Sequence, residues 1–380
     1  MRPPLRVWIW TAATVALALV AALLWRGSDA AATDSTTAPP ADVPAGTPAG
    51  GVSAAWSVEG GPVPRKVVEG GRVVVGSEHG VRAHDPVTGG EAWHYLRANA
   101  LLCDLTAVDG VVVAVFRTED RCDEAVALDA ATGVRAWTRN VNFRPDMTLQ
   151  SAPGVALAAA PTGVVTLDPR GNNIRWRYAA PAGCRLDGAD VGAAGVAVLQ
   201  RCGGSPARQL RLLDGQQGSP RWTRDVAVPD VGGVSLGPVD QAVTVVAGDR
   251  LEVFAGSDGA PLNALPLPAE DPGAPVLHTT VGSTALVWTR GTVWALDRPT
   301  GSLLWQVPAR GVPSAPADKT AQPGGTPVVV PEADGLALRD ARTGAELGRL
   351  AAPDLPSGGL ATVLGPVVVY RLPGEVRGYR

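Results

Sequence analysis

The sequence predicts an all-β fold, an eight-bladed β-propeller, preceded by an N-terminal transmembrane helix. Two observations support this prediction: a motif that recurs at intervals of about 42 residues, and a stretch of 19 uncharged residues near the N-terminus. The composition agrees, because 46 glycines and 34 prolines among 380 residues suit a turn-rich β protein better than a helical bundle. The net charge of −3 gives no electrostatic footprint for nucleic acid, so no nucleic-acid partner is expected.

The recurring motif combines a short apolar strand, an aspartate at its end, a glycine four residues after the aspartate and a tryptophan eight residues after it. Five copies keep the aspartate-to-tryptophan spacing, and the third copy has Asn172 in place of the glycine. The residues of these copies are Asp85, Gly89 and Trp93; Asp129, Gly133 and Trp137; Asp168 and Trp176; Asp214, Gly218 and Trp222; and Asp297, Gly301 and Trp305. Two weaker copies, at 255–263 and 340–348, keep the same phase, and a half-copy ends the chain at Arg380.

Each part of the motif has a local structural role. The aspartate can accept backbone N–H groups in a tight turn, and glycine or asparagine tolerates the positive φ that such a turn needs. The tryptophan begins the next strand, where its large ring can pack against a neighbouring unit. Two further strand signals precede the motif in each unit, such as Val63–Val68 and Arg72–Gly76 in the first. Units of four short strands at this period are typical of propeller blades.

The two ends of the repeat region are complementary. The chain ends after the third strand of its eighth unit, whereas Ala54–Val58, which contains Trp56, has the pattern of an isolated fourth strand. Pairing these segments would close the ring and remove the exposed sheet edges. We therefore expect Trp56 to lie on the closing strand. A seven-bladed ring is the alternative if one of the weaker copies does not form a blade.

The uncharged stretch, residues 7–25, has the length and the flanks of a membrane span. Nineteen residues of helix extend about 28 Å, close to the roughly 30 Å of a bilayer core. Tryptophans lie at both ends of the stretch, where interfacial rings are favoured: Trp8, Trp10 and Trp25. Arg2 and Arg6 before the stretch favour a cytoplasmic N-terminus. We expect residues 1–26 to form a cytoplasmic N-terminus and signal anchor.

A linker and the propeller follow the anchor. Residues 27–51 are rich in alanine, proline and threonine with almost no large apolar side chain, which predicts a flexible tether, and residues 52–380 form the predicted propeller. A cleaved signal peptide is the alternative to the anchor, because Ala30–Ala32 offers a small-residue cleavage site. Both interpretations place the propeller outside the cytoplasm, and the expected location is the cell membrane with a single span.

The four cysteines form two pairs of similar spacing, Cys103 with Cys122 and Cys184 with Cys202. In its unit each pair has one cysteine before the second strand and one just after it. The start of the first strand and the end of the second strand lie at the same edge of a blade, so the two cysteines are within bridging reach. We predict two disulfides within blades, consistent with an oxidising compartment. Four cysteines allow three pairings, and a metal site is the alternative, although no Cys-x2-Cys spacing occurs.

Two polar clusters are candidates for binding chemistry. His79, His84 and His94 fall in the first unit, where a metal or acid–base site competes with ordinary surface histidines. The run Arg117–Glu124 contains four carboxylates, which suit calcium but lack an EF-hand pattern, so a solvated loop pinned by the disulfide is favoured. If this loop and its counterpart Gln200–Arg208 lie on one face, blades two to four would form a partner surface.

The motif resembles the tryptophan-docking repeat of pyrroloquinoline-quinone (PQQ)-like propellers, Ala-x-Asp-x3-Gly-x3-Trp. The copies that begin at Ala83, Ala127 and Ala295 match it in full, and the resemblance extends from residue 52 to the C-terminus. It implies a β-propeller of the kind found in quinoprotein dehydrogenases and in the non-catalytic outer-membrane assembly factor BamB. The motif is specific for the fold and weak for function.

The residues favour a non-catalytic binding or assembly scaffold over an enzyme. A quinoprotein dehydrogenase would imply a vicinal Cys-Cys pair, calcium-binding carboxylates and a tryptophan floor inside the ring, and no Cys-Cys pair occurs. We therefore expect no catalytic or metal-binding residues, no cofactor, and a protein or cell-envelope partner on one propeller face. A PQQ-dependent oxidoreductase and a propeller that senses a cell-envelope ligand are the alternatives.

Overall fold

A computed structural model describes residues 4–60, 68–228, 233–268, 275–314 and 326–380. Two helices within these ranges precede the ring, α1 (Leu5–Arg26) and α2 (Asp29–Ala32). The apolar helix α1 is long enough to cross a membrane, and none of its membrane-length window is buried within the described chain. The strand predicted at Val63–Val68 lies outside the described residues apart from Val68.

The first strands of the chain and blades 1 to 4 follow in sequence order. Two strands come before the blades: β1 (Thr33–Ser35) and β2 (Ala54–Glu59). Blade 1 contains β3 (Val68–Glu69), β4 (Arg72–Ser77), β5 (Gly80–His84) and β6 (Glu91–Arg97). Blade 2 contains β7 (Leu101–Val108), β8 (Val111–Arg117), β9 (Cys122–Asp129) and β10 (Arg135–Phe143). Blade 3 contains β11 (Thr148–Ala152), β12 (Val155–Ala160), β13 (Gly163–Asp168) and β14 (Asn173–Ala179). Blade 4 contains β15 (Cys184–Gly192), β16 (Gly195–Cys202), β17 (Arg208–Leu213) and β18 (Pro220–Val226).

Blades 5 to 8 complete an eight-bladed propeller, as the repeat predicts. Blade 5 contains β19 (Val234–Val239), β20 (Ala242–Ala247), β21 (Arg250–Ala255) and β22 (Pro261–Pro266). Blade 6 contains β23 (Leu277–Val281), β24 (Thr284–Thr289), β25 (Thr292–Asp297) and β26 (Leu303–Pro308). The short β27 (Gly311–Pro313) precedes blade 7, which contains β28 (Pro327–Glu332), β29 (Gly335–Asp340) and β30 (Glu346–Ala351). Blade 8 contains β31 (Gly359–Leu364), β32 (Val367–Leu372) and β33 (Glu375–Tyr379).

Burial within a blade follows from the packing of blades face to face. Second strands are continuous apolar runs, and residues 111–116 of β8 are all buried, because neighbouring blades cover both faces of the sheet. Fourth strands are covered less, so exposed and half-buried residues alternate, as in β22. First strands of successive blades contact one another and therefore surround the axis of the ring.

Each blade is an antiparallel meander, so its turns lie at two opposite edges. The turns between the first and second strands and between the third and fourth strands form what we call the turn rim, which in blade 2 includes residues 109–110 and 130–134. The turns between the second and third strands and the connections to the next blade form the connection rim, which in blade 2 includes residues 118–121 and 144–147.

The N-terminal strand β2 closes the ring. It pairs antiparallel with β33, with Trp56 opposite Gly378 and Glu59 opposite Glu375, so it forms the fourth strand of blade 8. Blade 7 departs from the regular pattern, since its sheet pairs three strands within the described part of the chain. The short β27 instead pairs parallel with β31, where Val312 lies opposite Leu360. A three-residue strand has too little alternation to be recognised in the sequence.

The segment after α1 is more structured than the sequence predicts. Residues 28–53, which we call the N-terminal strap, contact several blades: β1 pairs with β6 as a fifth strand of blade 1, and Gly51 bridges to Ala351 of blade 7. Between them, the Ala38 N–H donates to the carbonyl of Thr132 in blade 2. The expectation of a flexible tether is therefore wrong for this part of residues 27–51. Backbone hydrogen bonds hold the strap against the blades, and a prediction based on amino-acid composition does not detect such bonds.

Candidate functional site

Six tryptophans at the motif position join neighbouring blades. Each indole Nε1 donates to the backbone oxygen of the residue after the aspartate position in the next blade. Trp93, which is fully buried, lies 3.2 Å from the Ala130 oxygen in this way. The others, at 2.9–3.1 Å, are Trp56 to Pro86, Trp137 to Pro169, Trp176 to Gly215, Trp222 to Gly256 and Trp305 to Ala341. These contacts hold each blade in register with the next.

The turn that receives the indole is built by the other motif residues. Asp129 Oδ1 accepts hydrogen bonds from the N–H and the hydroxyl of Thr132, at 2.8 and 2.7 Å. Gly133 has a φ of 75°, and a Cβ there would lie 2.7 Å from the ring of Trp93. In the third copy Asn172 adopts a φ of 55°, a conformation that asparagine tolerates. The aspartate, glycine and tryptophan therefore serve the joint between blades.

Four positions depart from the tryptophan pattern, and one of them is Gly348, which occupies the tryptophan position of blade 7. In blade 5 Asn263 occupies the tryptophan position, and its Nδ2 donates to the Gly301 oxygen at 3.2 Å, so an amide replaces the indole. Trp288 and Trp294 lie on the second and third strands of blade 6 and belong to no docking site. Trp288 Nε1 donates to the Ala309 oxygen at 2.8 Å. Trp294 Nε1 is buried and has no hydrogen-bond partner within the described part of the chain.

Both predicted disulfides are present, each within one blade. Cys103 of β7 is bonded to Cys122 of β9, with the Cα atoms 6.1 Å apart. Cys184 and Cys202 face each other on β15 and β16, with the Cα atoms 4.0 Å apart. The bonds lie toward the connection rim of blades 2 and 4, where they fix the turns between second and third strands.

The double variant Cys184→Ser/Cys202→Ser is expected to lose about 3 kcal/mol of unfolding free energy, because the closed loop no longer restricts the unfolded chain. Equilibrium denaturation under non-reducing conditions measures this loss. Non-reducing peptide mapping, which should still detect the link between Cys103 and Cys122, is the control. A variant as stable as the parent protein would contradict the prediction.

The turn between the second and third strands of blade 2, residues 117–124, is the blade-2 loop. Asp123 accepts hydrogen bonds from the Thr118 N–H at 3.0 Å and from the Thr118 hydroxyl at 2.6 Å. Burial would raise the pKa of Asp123, but these hydrogen bonds outweigh it and lower the pKa, so the carboxylate stays charged. Within the described residues the side chains of Arg117, Glu119 and Asp120 have no hydrogen bond or ion pair. A fixed backbone thus presents free charged groups.

A cavity of about 530 Å³ lies beside the blade-2 loop. Its walls come from residues 98–101, which connect blade 1 to blade 2, and from Arg117, Glu119 and Asp120. His79, whose Nδ1 lies 2.8 Å from the Ala100 oxygen, forms another part of the wall. A second cavity of about 300 Å³ includes residues 76–78 and 102–105. The connection rim between blades 1 and 2 therefore combines a concave surface with charges of both signs.

The three histidines of blade 1 do not form one site. His79 and His84 each lie beside a backbone carbonyl, and burial lowers the pKa of His84. His94 lies elsewhere, with Nδ1 2.6 Å from Glu91 and Nε2 3.3 Å from Asp34 of the strap. Among the described residues no group of three or more His, Cys, Asp or Glu side chains could hold a metal ion.

The docking of the strap at His94 is expected to weaken as the pH rises. Burial would lower the pKa of His94, but Glu91 and Asp34 outweigh it and raise the pKa. The stabilisation is therefore complete below the ordinary histidine pKa of about 6.5 and is lost as the pH rises through the folded value. The pKa of Glu91, which burial would raise, is lowered by His94 and Arg82. Its contribution is present above its ordinary pKa and is lost only at acidic pH.

Hydrogen exchange measures this effect at the Thr36 amide, which donates to the His94 oxygen at 2.9 Å. After correction for intrinsic rates, protection should be greater at pH 6 than at pH 8.5. The variant His94→Gln should remove the difference, whereas His79→Gln should keep it. An unchanged pH dependence in His94→Gln would show that another group is responsible.

The first strands carry polar side chains that meet near the axis of the ring. Thr106 pairs with Ser151 of the next blade at 2.8 Å. Asp190 of blade 4 and His278 of blade 6 approach to 3.5 Å, although a whole blade separates them. Side chains therefore fill part of the central channel in this sector.

A quinone cofactor does not fit these residues. The tryptophan floor that the resemblance implies is missing, since no described first strand of a blade contains tryptophan. All four cysteines are in the two disulfides described above, so none is left for a vicinal pair.

A buried arginine in blade 8 provides a test of electrostatic strain. Among the described residues, Nε and Nη1 of Arg371 have no hydrogen-bond partner, and burial lowers its pKa to about 10. Because an unpaired buried charge destabilises the fold, Arg371→Met is expected to raise the unfolding free energy by about 1–3 kcal/mol. Thermal denaturation measures the change. The control Arg377→Met, which removes a half-buried ion pair to Glu375, should gain no stability. A lower melting temperature for Arg371→Met would contradict the prediction.

Comparison with known proteins identifies the family. A family described as outer membrane protein assembly factor BamB, built of PQQ-type repeats, matches residues 20–193 and 207–369. The chain belongs to this family. No curated protein matches significantly.

Solved structures agree on the fold of this BamB-like propeller. BamB from Moraxella catarrhalis is 17% identical, with 87% of this chain and 99% of that chain covered and a TM-score of 0.50. The computationally designed protein Ika8 is 14% identical, with 86% and 98% covered and a TM-score of 0.55. A europium-containing methanol dehydrogenase is 13% identical, with 86% and 93% covered and a TM-score of 0.46. At these identities the likeness to BamB and to Ika8 concerns the fold alone, and nothing is concluded from the dehydrogenase, whose TM-score is below 0.5.

Proposed function

We propose that this BamB-like propeller is a membrane-anchored, extracytoplasmic scaffold that binds a protein partner and catalyses no reaction. The blade-2 loop is the observation that supports this most directly. The disulfide at Cys122 and the hydrogen bonds of Asp123 fix its backbone. Beside a cavity, Arg117, Glu119 and Asp120 have no side-chain partner among the described residues. Preorganised charged groups favour specific and fast association, because little ordering is needed when the partner binds.

Two features support a position outside the cytoplasm. The two disulfides are typical of an oxidising compartment. The apolar α1 has the length of a membrane span. Retention of α1 as an anchor is further supported by Asp29, which lies before the alternative cleavage site at residues 30–32 and pairs with the buried Arg97 at 2.9 Å.

The absence of catalysis is supported by the interior of the ring, whose residues do not fit a quinone cofactor. The family also includes BamB, which is described as an assembly factor. Reconstitution with PQQ and Ca²⁺ tests this part of the proposal. Stoichiometric binding with reduction of an electron-accepting dye would overturn it.

Photo-crosslinking in intact membranes tests the partner surface. A photoreactive residue at Glu119, on the connection rim of blade 2, should give a discrete crosslinked partner, and Arg117→Ala/Asp120→Ala should reduce its yield several-fold. The matched control is the same probe at Val134, which is exposed on the turn rim of the same blade. Equal capture from both positions, or an unchanged yield in the double variant, would count against this surface.

Sequencing the N-terminus of the mature protein tests the anchor. Retention of residues 1–32 in the membrane fraction is expected. A mature chain that begins at Thr33 would replace the anchor with a cleaved signal peptide.

A further inference from the structure

We propose that the N-terminal strap clamps the propeller directly onto its membrane anchor, so that the connection rim of blades 1 and 2 stays at the bilayer surface. The cavity beside the blade-2 loop would then receive the membrane-proximal part of another membrane protein. This inference rests on the proposed anchoring of α1. A propeller on a flexible tether would instead sample all orientations relative to the bilayer.

The link between the membrane helix and the strap is short and hydrogen-bonded. Only Gly27 and Ser28 separate α1 from α2. The Ser28 N–H and hydroxyl both donate to the Trp25 oxygen, at 3.0 and 2.7 Å, and the Ser28 hydroxyl oxygen accepts from the Ala31 N–H at 3.2 Å. Three residue steps from Arg26 to Asp29 span at most about 11 Å. A free linker of 25 residues would instead average about 28 Å between its ends.

Asp29 fastens this link to two blades through one arginine. Its Oδ1 accepts hydrogen bonds from Arg97 Nη2 at 2.9 Å and from Asn99 Nδ2 at 2.8 Å. Arg97 is 1% exposed, and its Nη1 donates to both carboxylate oxygens of Glu124 in blade 2 at 2.9 Å. Separating Asp29 from Arg97 would leave a buried guanidinium without one of its partners, which costs free energy. The contact between Asp29 and Arg97 therefore resists separation.

Backbone pairing provides a second, independent attachment. The carbonyl of Ala32 accepts from the Ala98 N–H at 2.8 Å, directly before β1 pairs along β6. Asp34 and Thr36 then contact His94 on the outer edge of blade 1. Because the two attachments lie a few residues apart, the propeller has little freedom to rotate about either of them.

The same contacts place the cavity close to the membrane. Asn99 both binds Asp29 and lines the cavity, so the cavity begins one side chain away from the strap. Glu119 and Asp120 outnumber Arg117 among the free charged groups, and this excess of negative charge disfavours anionic lipid headgroups. By charge complementarity it favours a membrane protein that carries lysine or arginine residues where it emerges on the extracytoplasmic side.

Fluorescence quenching in vesicles tests the orientation. The full-length protein, with its disulfides intact, is reconstituted in phosphatidylcholine vesicles that contain a headgroup-nitroxide lipid. A fluorophore is attached through Asp120→Cys or, as the matched control, through Asp249→Cys, an exposed aspartate on the connection rim of blade 5 across the ring. Quenching at position 120 should exceed that at position 249 at least threefold. Asp29→Ala/Asp34→Ala should remove the difference. The control Asp42→Ala should retain it, because Asp42 is an exposed strap residue whose side chain makes no hydrogen bond or ion pair within the described residues.

Equal quenching at the two positions, in protein that stays membrane-bound with an intact N-terminus, would overturn the clamp and leave the proposed anchoring in place. Loss of residues 1–32 would instead overturn the anchoring. The partner class is tested with a transmembrane peptide flanked by lysines or, as the control, by glutamines. Energy transfer from a fluorophore attached through Pro145→Cys, an exposed cavity residue whose replacement leaves the loop charges intact, should be stronger to the lysine-flanked peptide, and Glu119→Gln should reduce it. No preference between the peptides would overturn the assignment of a basic partner.

Discussion

Replacing Trp93 with alanine is expected to lower the unfolding free energy by about 3–5 kcal/mol, among the largest effects of any single substitution in the ring. Trp93 is fully buried between blades 1 and 2, and its indole donates to Ala130 while covering Gly133. Truncation removes the ring, leaves a cavity and leaves the Ala130 carbonyl without its donor. Chemical denaturation measures the loss.

The variant Trp93→Phe separates the two contributions. Phenylalanine keeps most of the apolar volume and lacks the donor, so its loss should be close to 1 kcal/mol for the hydrogen bond plus a small packing term. Equal losses for phenylalanine and alanine would show that the hydrogen bond, rather than burial, dominates the joint. A loss below 1 kcal/mol for alanine would contradict the assigned role of the docking tryptophan.

Replacing Gly89 with alanine is expected to weaken the closure of the ring. Gly89 has a φ of 71°, and a Cβ there would lie 2.5 Å from the ring of Trp56, which closes blade 8 onto blade 1. The left-handed backbone costs a non-glycine residue about 1–2 kcal/mol. Displacing the indole adds about 1–3 kcal/mol of overpacking. Thermal and chemical denaturation should both report the combined loss.

Gly154 offers a matched control for that substitution. Its φ of 76° is nearly the same, but no atom lies within 4 Å of a Cβ placed there. Gly154→Ala should therefore show only the backbone cost. The difference between the two variants then measures the contact with Trp56, and equal losses would mean that the indole moves away without cost.

The repeat made most of the ring predictable. An aspartate, a glycine and a tryptophan at fixed spacing form the joint between one blade and the next. Because the same joint recurs around the ring, the same motif recurs in the sequence. The repeat also assigns Trp56 to blade 8. The segment that contains Trp56 has the pattern of a fourth strand without a blade, and the last repeat unit lacks a fourth strand. The disulfides followed from the symmetry of Cys103 and Cys184 within their units.

Other features depend on contacts that leave no pattern in the sequence. Thr33–Ser35 joins blade 1 through backbone hydrogen bonds, which do not depend on apolar side chains. The role of Asp29 depends on Arg97, 68 residues away, and nothing local marks the pair. Asn263 replaces a tryptophan with an amide that makes a similar hydrogen bond, a substitution visible only in three dimensions. The charged run 117–124 predicts part of the candidate surface. The cavity beside it depends on the packing of two blades, which the sequence does not show.

The closing strand also determines when the protein can finish folding. Ser57 of β2 donates to Glu375 of β33, a contact between residues 318 positions apart. Since β33 follows every other described strand along the chain, β2 must stay unpaired until β33 is available. Long-range pairings of this kind fold slowly and expose strand edges meanwhile. A chain that lacks its last few residues would therefore remain an open, aggregation-prone ring.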